Sequence, residues 1–146
     1  MEIFEYTNKD LSAANIDQLW EQQWKRIEST GLLRYDQPRE NPNVKFVESE
    51  EGFKFAFQYL LNRGSKRRAR VQFSSVNEPF SNERFHFGKI NSSEILFTLK
   101  PAHRPNSSTT AIANVSPIEW GHFLLVPNLE QNSMQKITRG TREVVF

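Results

Sequence analysis

The sequence predicts an α+β fold, an antiparallel sheet with helices packed on it, and three observations carry that expectation. Residues 12–30 repeat apolar side chains at spacings of three and four. From Val44 the period falls to two. Between residues 111 and 127 two short apolar runs flank a polar turn that holds an Asn, a Ser-Pro and a Gly-His.

The first element is the helix. Ile16, Leu19, Trp20, Gln23 or Trp24, and Ile27 make one stripe, with Glu, Gln, Lys and Arg between them. Ser12 or Asn15 is placed to cap its start and Gly31 its end. Two tryptophans on one stripe need burying, so the stripe is expected to face the core. Residues 36–43 carry Pro38 and Pro42 among charged and amide side chains and read as a loop.

A β-hairpin follows. Residues 44–47 and 53–59 flank the acidic turn 48–52, and Phe53, Phe55, Phe57 and Tyr59 alternate with Lys54, Ala56 and Gln58. The aromatic face is expected to cover a core, a reading ranked ahead of an exposed platform for stacking bases. The segment 63–70 then places Arg63, Lys66, Arg67, Arg68 and Arg70 in eight residues. It reads first as a solvated loop, second as a phosphate contact and third as a nucleic-acid patch.

Further strands are expected at 71–76, 85–90, 94–99, 110–114 and 122–126, the 85–90 and 94–99 pair forming a hairpin through Asn91-Ser92-Ser93. Residues 100–108 make a long polar loop. Pro127 closes the last strand, since proline donates nothing to a ladder. A final helix is expected from Ser133, with Met134, Ile137, Val144 and Val145 apolar, and its pattern is still running at Phe146. The chain divides into a helix and loop, 1–43, and a sheet region with the start of a final helix, 44–146, of one domain.

Composition bounds the function. A chain of 146 residues builds one core. Its 19 basic and 17 acidic residues leave a formal charge of +2, which gives no electrostatic case for nucleic acid. There is no cysteine, which excludes disulfides, thiolate nucleophiles and Cys-based zinc sites. No apolar run approaches the ~20 residues of a membrane span, and residues 1–10 lack a signal pattern. The expectation is a soluble protein of the cytoplasm, without cofactor or metal.

Three histidines are candidates for chemistry. His103 lies in a proline-flanked polar loop and reads as solvated. His86 sits between Phe85 and Phe87, and His122 follows Gly121 at the start of an apolar strand. Taken alone, a histidine at a strand start is more often a hydrogen-bonded structural residue than a catalyst. Asn114, at the end of the preceding strand, reads most plainly as a turn residue.

The run from Asn114 through Gly121-His122 to Phe123-Leu124-Leu125-Val126-Pro127 resembles the histidine-triad (HIT) superfamily, where a strand ending in Asp or Asn leads to a Gly-His strand of the form His-x-Leu-x-x-Pro. Within it the chain is most similar to the GDP-L-galactose/GDP-D-glucose phosphorylase family. The supporting pieces are Trp24 to Tyr35 with its Gly-Leu-Leu-Arg-Tyr, Phe57 to Arg68, Pro79 to Phe97, and Asn114 to Pro127, in that order. The family's His-x-His-x-His segment lies further along and is absent from this sequence.

The resemblance implies a HIT-like sheet, incomplete at its C-terminal end, and a nucleotidyltransferase that converts GDP-glucose and phosphate into glucose 1-phosphate and GDP. A histidine imidazole attacks the α-phosphorus, glucose 1-phosphate leaves, and inorganic phosphate then cleaves the guanylyl-histidine. Phe87-Gly88-Lys89-Ile90 resembles the HIT segment that lines the nucleobase pocket, which makes His86 and Phe87 base-pocket candidates with Ile112 opposite. Asn114 takes the position that holds the ribose hydroxyls, and His122 packs behind the triad. No catalytic residue is assigned, and this short chain is expected to be inactive. The alternatives are a non-enzymatic nucleotide- or protein-binding remnant and, third, a small RNA-binding domain. An incomplete sheet leaves an unpaired edge, so a homodimer through that edge is also expected.

Overall fold

The structure, a computed structural model, describes residues 3–6, 13–35, 38–40, 44–60, 63–66, 72–75 and 77–131. It contains one α-helix and two sheets, an α+β arrangement as expected. The larger sheet has four strands in the order β1-β4-β5-β6: β1 (Ile3–Tyr6), β4 (Ile95–Pro101), β5 (Thr109–Ala113) and β6 (Phe123–Pro127). The smaller is a hairpin of β2 (Val44–Glu48) and β3 (Lys54–Gln58). Strands β4, β5 and β6 are antiparallel neighbours, while β1 runs parallel to β4 with Ile3 opposite Thr98.

Helix α1 (Ala13–Ser29) follows its sequence period closely. Trp24 and Ile27 are fully buried, and Leu19 and Trp20 pack beside them. Gly31 takes the left-handed conformation that ends a helix, with φ +68°, as its position suggested. Phe97 and Leu99 of β4 with Ala111 and Ala113 of β5 complete the core under this stripe. Arg26 fastens helix to sheet, its guanidinium donating to the carbonyls of Ser93 (3.2 Å) and Ile95 (2.6 Å).

Three expectations need correction. No strand forms over 85–90. Phe87–Lys89 and Ser92–Glu94 are single 3-10 turns instead: the Lys89 and Ile90 N–H groups donate to the His86 and Phe87 carbonyls, while Asn91 accepts the Ser93 N–H with its side chain and the Glu94 N–H with its carbonyl, so the local backbone is satisfied without a ladder. Residues 72–75, the described part of the 71–76 expectation, are likewise irregular. The hairpin β2–β3 forms in the expected register, yet its aromatic face covers nothing: Val47, Phe53, Phe55, Phe57 and Tyr59 are all half-exposed or more. Alternation identified the strand and its shared face correctly; it carried no information on what lies against that face. Strand β1 was not foreseen. The final helix expected from Ser133 lies outside the described residues, as do Arg67, Arg68 and Arg70. Among the described residues no helix is long and apolar enough to cross a membrane.

Candidate functional site

The turn between β5 and β6 is built by its own polar groups. The Asn114 N–H donates to the His122 carbonyl at 3.1 Å, which continues the strand pairing past Ala113 and Phe123. Asn114 Oδ1 accepts the Ser116 N–H at 3.0 Å, turning the chain toward the buried Pro117. His122 Nδ1 accepts the Ile118 N–H at 3.1 Å. An imidazole nitrogen that accepts carries no proton, so the ring N–H is on Nε2. Asn114 Nδ2 stands 3.4 Å from the same Nδ1.

Helix α1 supports this corner from beneath. Gly121 has φ +78°, and a Cβ on it would lie 2.0 Å from Cζ2 of Trp20. Only glycine fits both the conformation and the contact. Trp20 Nε1 donates to the Gly121 carbonyl at 3.2 Å, and its ring meets Trp120 edge-on at 5.0 Å. Trp120 in turn lies under the guanidinium of Arg39 at 4.8 Å. Arg39 pairs with Glu21 at 2.9 Å, and the hydrogen bond and charge of Lys25, followed by Arg39, hold the Glu21 carboxyl below its ordinary range.

Two more segments reach the turn through backbone groups. Gln58, at the end of β3, donates to the Ile118 carbonyl at 2.6 Å. The Arg34 N–H donates to the Val115 carbonyl at 2.8 Å, next to Asn114. Neither residue was singled out from the sequence. A side chain that meets a main-chain carbonyl leaves no pairing of residue types to find.

The remaining candidates lie elsewhere. Ile112 is 2 % exposed, between Ile95 and Leu124 in the sheet, and presents almost no surface to a ligand. His86 Nε2 is 2.8 Å from Asn82 Oδ1 and its ring meets Phe80 edge-on, while Nδ1 is buried with no partner among the described residues. Phe87 packs edge-on to Phe85 at 6.0 Å and is partly exposed. A cavity of about 640 Å³ opens beside them, lined by Phe73, Phe80, Phe85, His86 and the ion pair Arg84–Glu78. Hydrogen bonds from Arg84 and then Ser74 hold the Glu78 carboxyl below its ordinary range.

These two regions are set apart. Phe87–Lys89 lies against Leu129–Gln131, just past the Pro127 end of β6, whereas Asn114 and His122 occupy the opposite end. Five strand residues, roughly 16 Å, separate those ends. His103 is exposed in its loop. Among the described residues no group of His, Asp and Glu could hold a metal ion.

Comparison with known proteins adds what geometry alone leaves open. The family described as "GDPGP1-like, N-terminal domain" matches residues 15–146. The chain is 35 % identical to GDP-D-glucose phosphorylase 1 of Danio rerio over 115 residues, covering 79 % of this chain and 32 % of that protein. It is 34 % identical to GDP-D-glucose phosphorylase 1 of Homo sapiens over 122 residues, with 80 % and 31 % covered. To GDP-L-galactose phosphorylase 2 of Arabidopsis thaliana it is 31 % identical over 137 residues, with 81 % and 30 % covered. The chain thus spans about a third of the length of these curated relatives. No solved structure matches it.

Proposed function

The chain belongs to the GDPGP1-like family, as its N-terminal domain, and from that premise we propose that it is the nucleotide-holding part of a GDP-hexose phosphorylase. The reaction is that of the relatives' names, phosphorolysis of GDP-glucose to glucose 1-phosphate and GDP. The substrates are the GDP-sugar and inorganic phosphate, and the setting is the cytoplasm.

The observation that carries this reading is the corner at Asn114. An amide side chain offers four hydrogen-bonding positions. Ser116 and His122 engage one oxygen lone pair and one N–H, which leaves one acceptor and one donor for a ribose diol. The corner is held by two core strands and by Trp20, so it is formed before a ligand arrives. Ile112 fixes the strand that ends at Asn114, whereas Phe87 and His86 lie at the other end of the sheet and take no part in this corner. His122, with Nδ1 committed to Ile118, orders the turn rather than attacking phosphorus.

None of the three histidines belongs to a His-x-His-x-His array, so this stretch supplies the cradle and not the nucleophile. Calorimetric titration with GDP tests the cradle: weak binding is expected, and Asn114→Ala should cost about 1–2 kcal/mol, roughly tenfold in affinity. A folded chain that binds no GDP rejects it. Incubation of the chain with GDP-glucose and phosphate should give no GDP above background, and turnover would show that one of His86, His103 and His122 is a nucleophile.

A further inference from the structure

Arg34 and Lys66 are joined in an unusual way for two cations. Lys66 Nζ donates to the Arg34 carbonyl at 2.6 Å, and Arg34 Nη1 donates to the Lys66 carbonyl at 3.3 Å. Each side chain thus holds the other residue's backbone, which ties two cationic residues to one another. Among the described residues neither has a carboxylate partner, the ion pairs there being Lys25–Glu21, Arg39–Glu21 and Arg84–Glu78. Two cationic residues tied together with no carboxylate partner among the described residues are placed to attract an anion.

Their location is specific. The backbone N–H of the same Arg34 donates to Val115, the residue after Asn114. Consecutive Cα atoms are ~3.8 Å apart, so the pair lies within a few residue lengths of the Asn114 side chain. The described end of the basic run, Arg63 to Lys66, is therefore attached to the corner. It is not a loop solvated on all sides.

We infer that Arg34 and Lys66 form a phosphate-binding site beside the Asn114–His122 corner. The inference rests on the nucleotide reading above and extends it to the charged end of the ligand. Guanidinium and ammonium groups are both suited to phosphoryl oxygens, the first as a fork and the second as a point charge. Lys66 is exposed and Arg34 half-buried, and the bonds between them face solvent, so the attraction is sensitive to salt. The phosphoryl oxygens belong either to the diphosphate of a bound nucleotide or to free phosphate, and the two sources are separable.

The test is calorimetric titration of the whole chain with GDP, guanosine and inorganic phosphate, at low and raised ionic strength. The variants are Arg34→Gln, Lys66→Gln, Lys66→Arg and Asn114→Ala. For a diphosphate, Lys66→Gln and Arg34→Gln each lower GDP affinity about tenfold and leave guanosine unchanged. Lys66→Arg restores most of the loss, and salt weakens GDP more than guanosine. For free phosphate, the same variants abolish inorganic phosphate binding and leave the ratio of GDP to guanosine affinity unchanged. Wild type that binds GDP, with Arg34→Gln and Lys66→Gln altering neither GDP nor phosphate, overturns the inference alone. Equal losses for GDP and guanosine also overturn it, because they show an effect on the shape of the corner. A folded wild type that binds neither GDP nor guanosine, yet loses phosphate binding in Lys66→Gln, sinks the nucleotide reading and keeps the anion site.

Discussion

His122 and Asn114 face each other across the β5–β6 turn, with Nδ1 of one 3.4 Å from Nδ2 of the other while that same Nδ1 accepts the Ile118 N–H. The imidazole is therefore a structural acceptor at the centre of the turn. In His122→Ala the exposed Ile118 N–H exchanges its partner for water, at a cost of about 0.5–1.5 kcal/mol in stability. Amide exchange at Ile118 should accelerate with it. Unchanged protection of that amide would show that the bond is not formed in solution.

Gly121→Ala should be more costly. A left-handed conformation costs a residue with a Cβ about 1–2 kcal/mol. Displacing the Trp20 ring, which the new methyl would overlap, adds overpacking of about 1–3 kcal/mol. Urea melts of Gly121→Ala, Trp20→Ala and the double variant check the assignment. The double variant should lose less than the sum of the two, since removing the indole removes the clash.

On the β2–β3 hairpin the expectation is the reverse. Phe46 is 78 % exposed and Tyr59 70 %, so Phe46→Ser and Tyr59→Ser should each change stability by no more than about 0.5 kcal/mol. Phe97→Ala, in the core, should cost about 3–5 kcal/mol. The hairpin variants should also bind less of a dye that reports exposed apolar surface. A loss of several kcal/mol at Tyr59 would mean that the aromatic face is covered after all, and the same loss at Phe46 that the opposite face is.

The Glu78 carboxyl, held down first by the Arg84 hydrogen bond and then by Ser74, should titrate below the ordinary glutamate range by carbon NMR. A depressed carboxylate favours the folded state above its unfolded pKa, and that contribution disappears as pH falls through the lower folded value. The turn between Ser74 and Arg84 should thus loosen only under acid conditions. Arg84→Met should return the Glu78 midpoint toward its ordinary value.

Much of this architecture was legible in the residues. Ile16 through Ile27 announced α1 because a helix repeats its buried face at the spacing that the sequence shows. Strands β4, β5 and β6 were visible as apolar runs, and the Asn114–His122 corner as the polar turn between two of them. Ile3–Tyr6 left no signal, since its parallel partner lies some ninety residues along and four residues show no period. Phe85 and Phe87 imitated a strand by alternating around His86, while the Lys89 and Ile90 N–H groups turn back onto the His86 and Phe87 carbonyls. Lys66 stood out within the basic run 63–70, whereas Arg34 and Gln58 join the site by touching carbonyls, which every residue has, so nothing in their identity marked them.

The bond between Trp20 and Gly121 spans 101 positions of the chain, against 12 for the Thr98–Thr110 contact across β4 and β5. Closing the longer loop costs about 2 kcal/mol more in chain entropy. Local hairpins therefore gain order early in folding, and the corner that holds Asn114 and His122 becomes native only when the first and last described parts of the chain meet. Emission from Trp20 is a reporter of that late event, distinct from the circular dichroism of the strands that precede it.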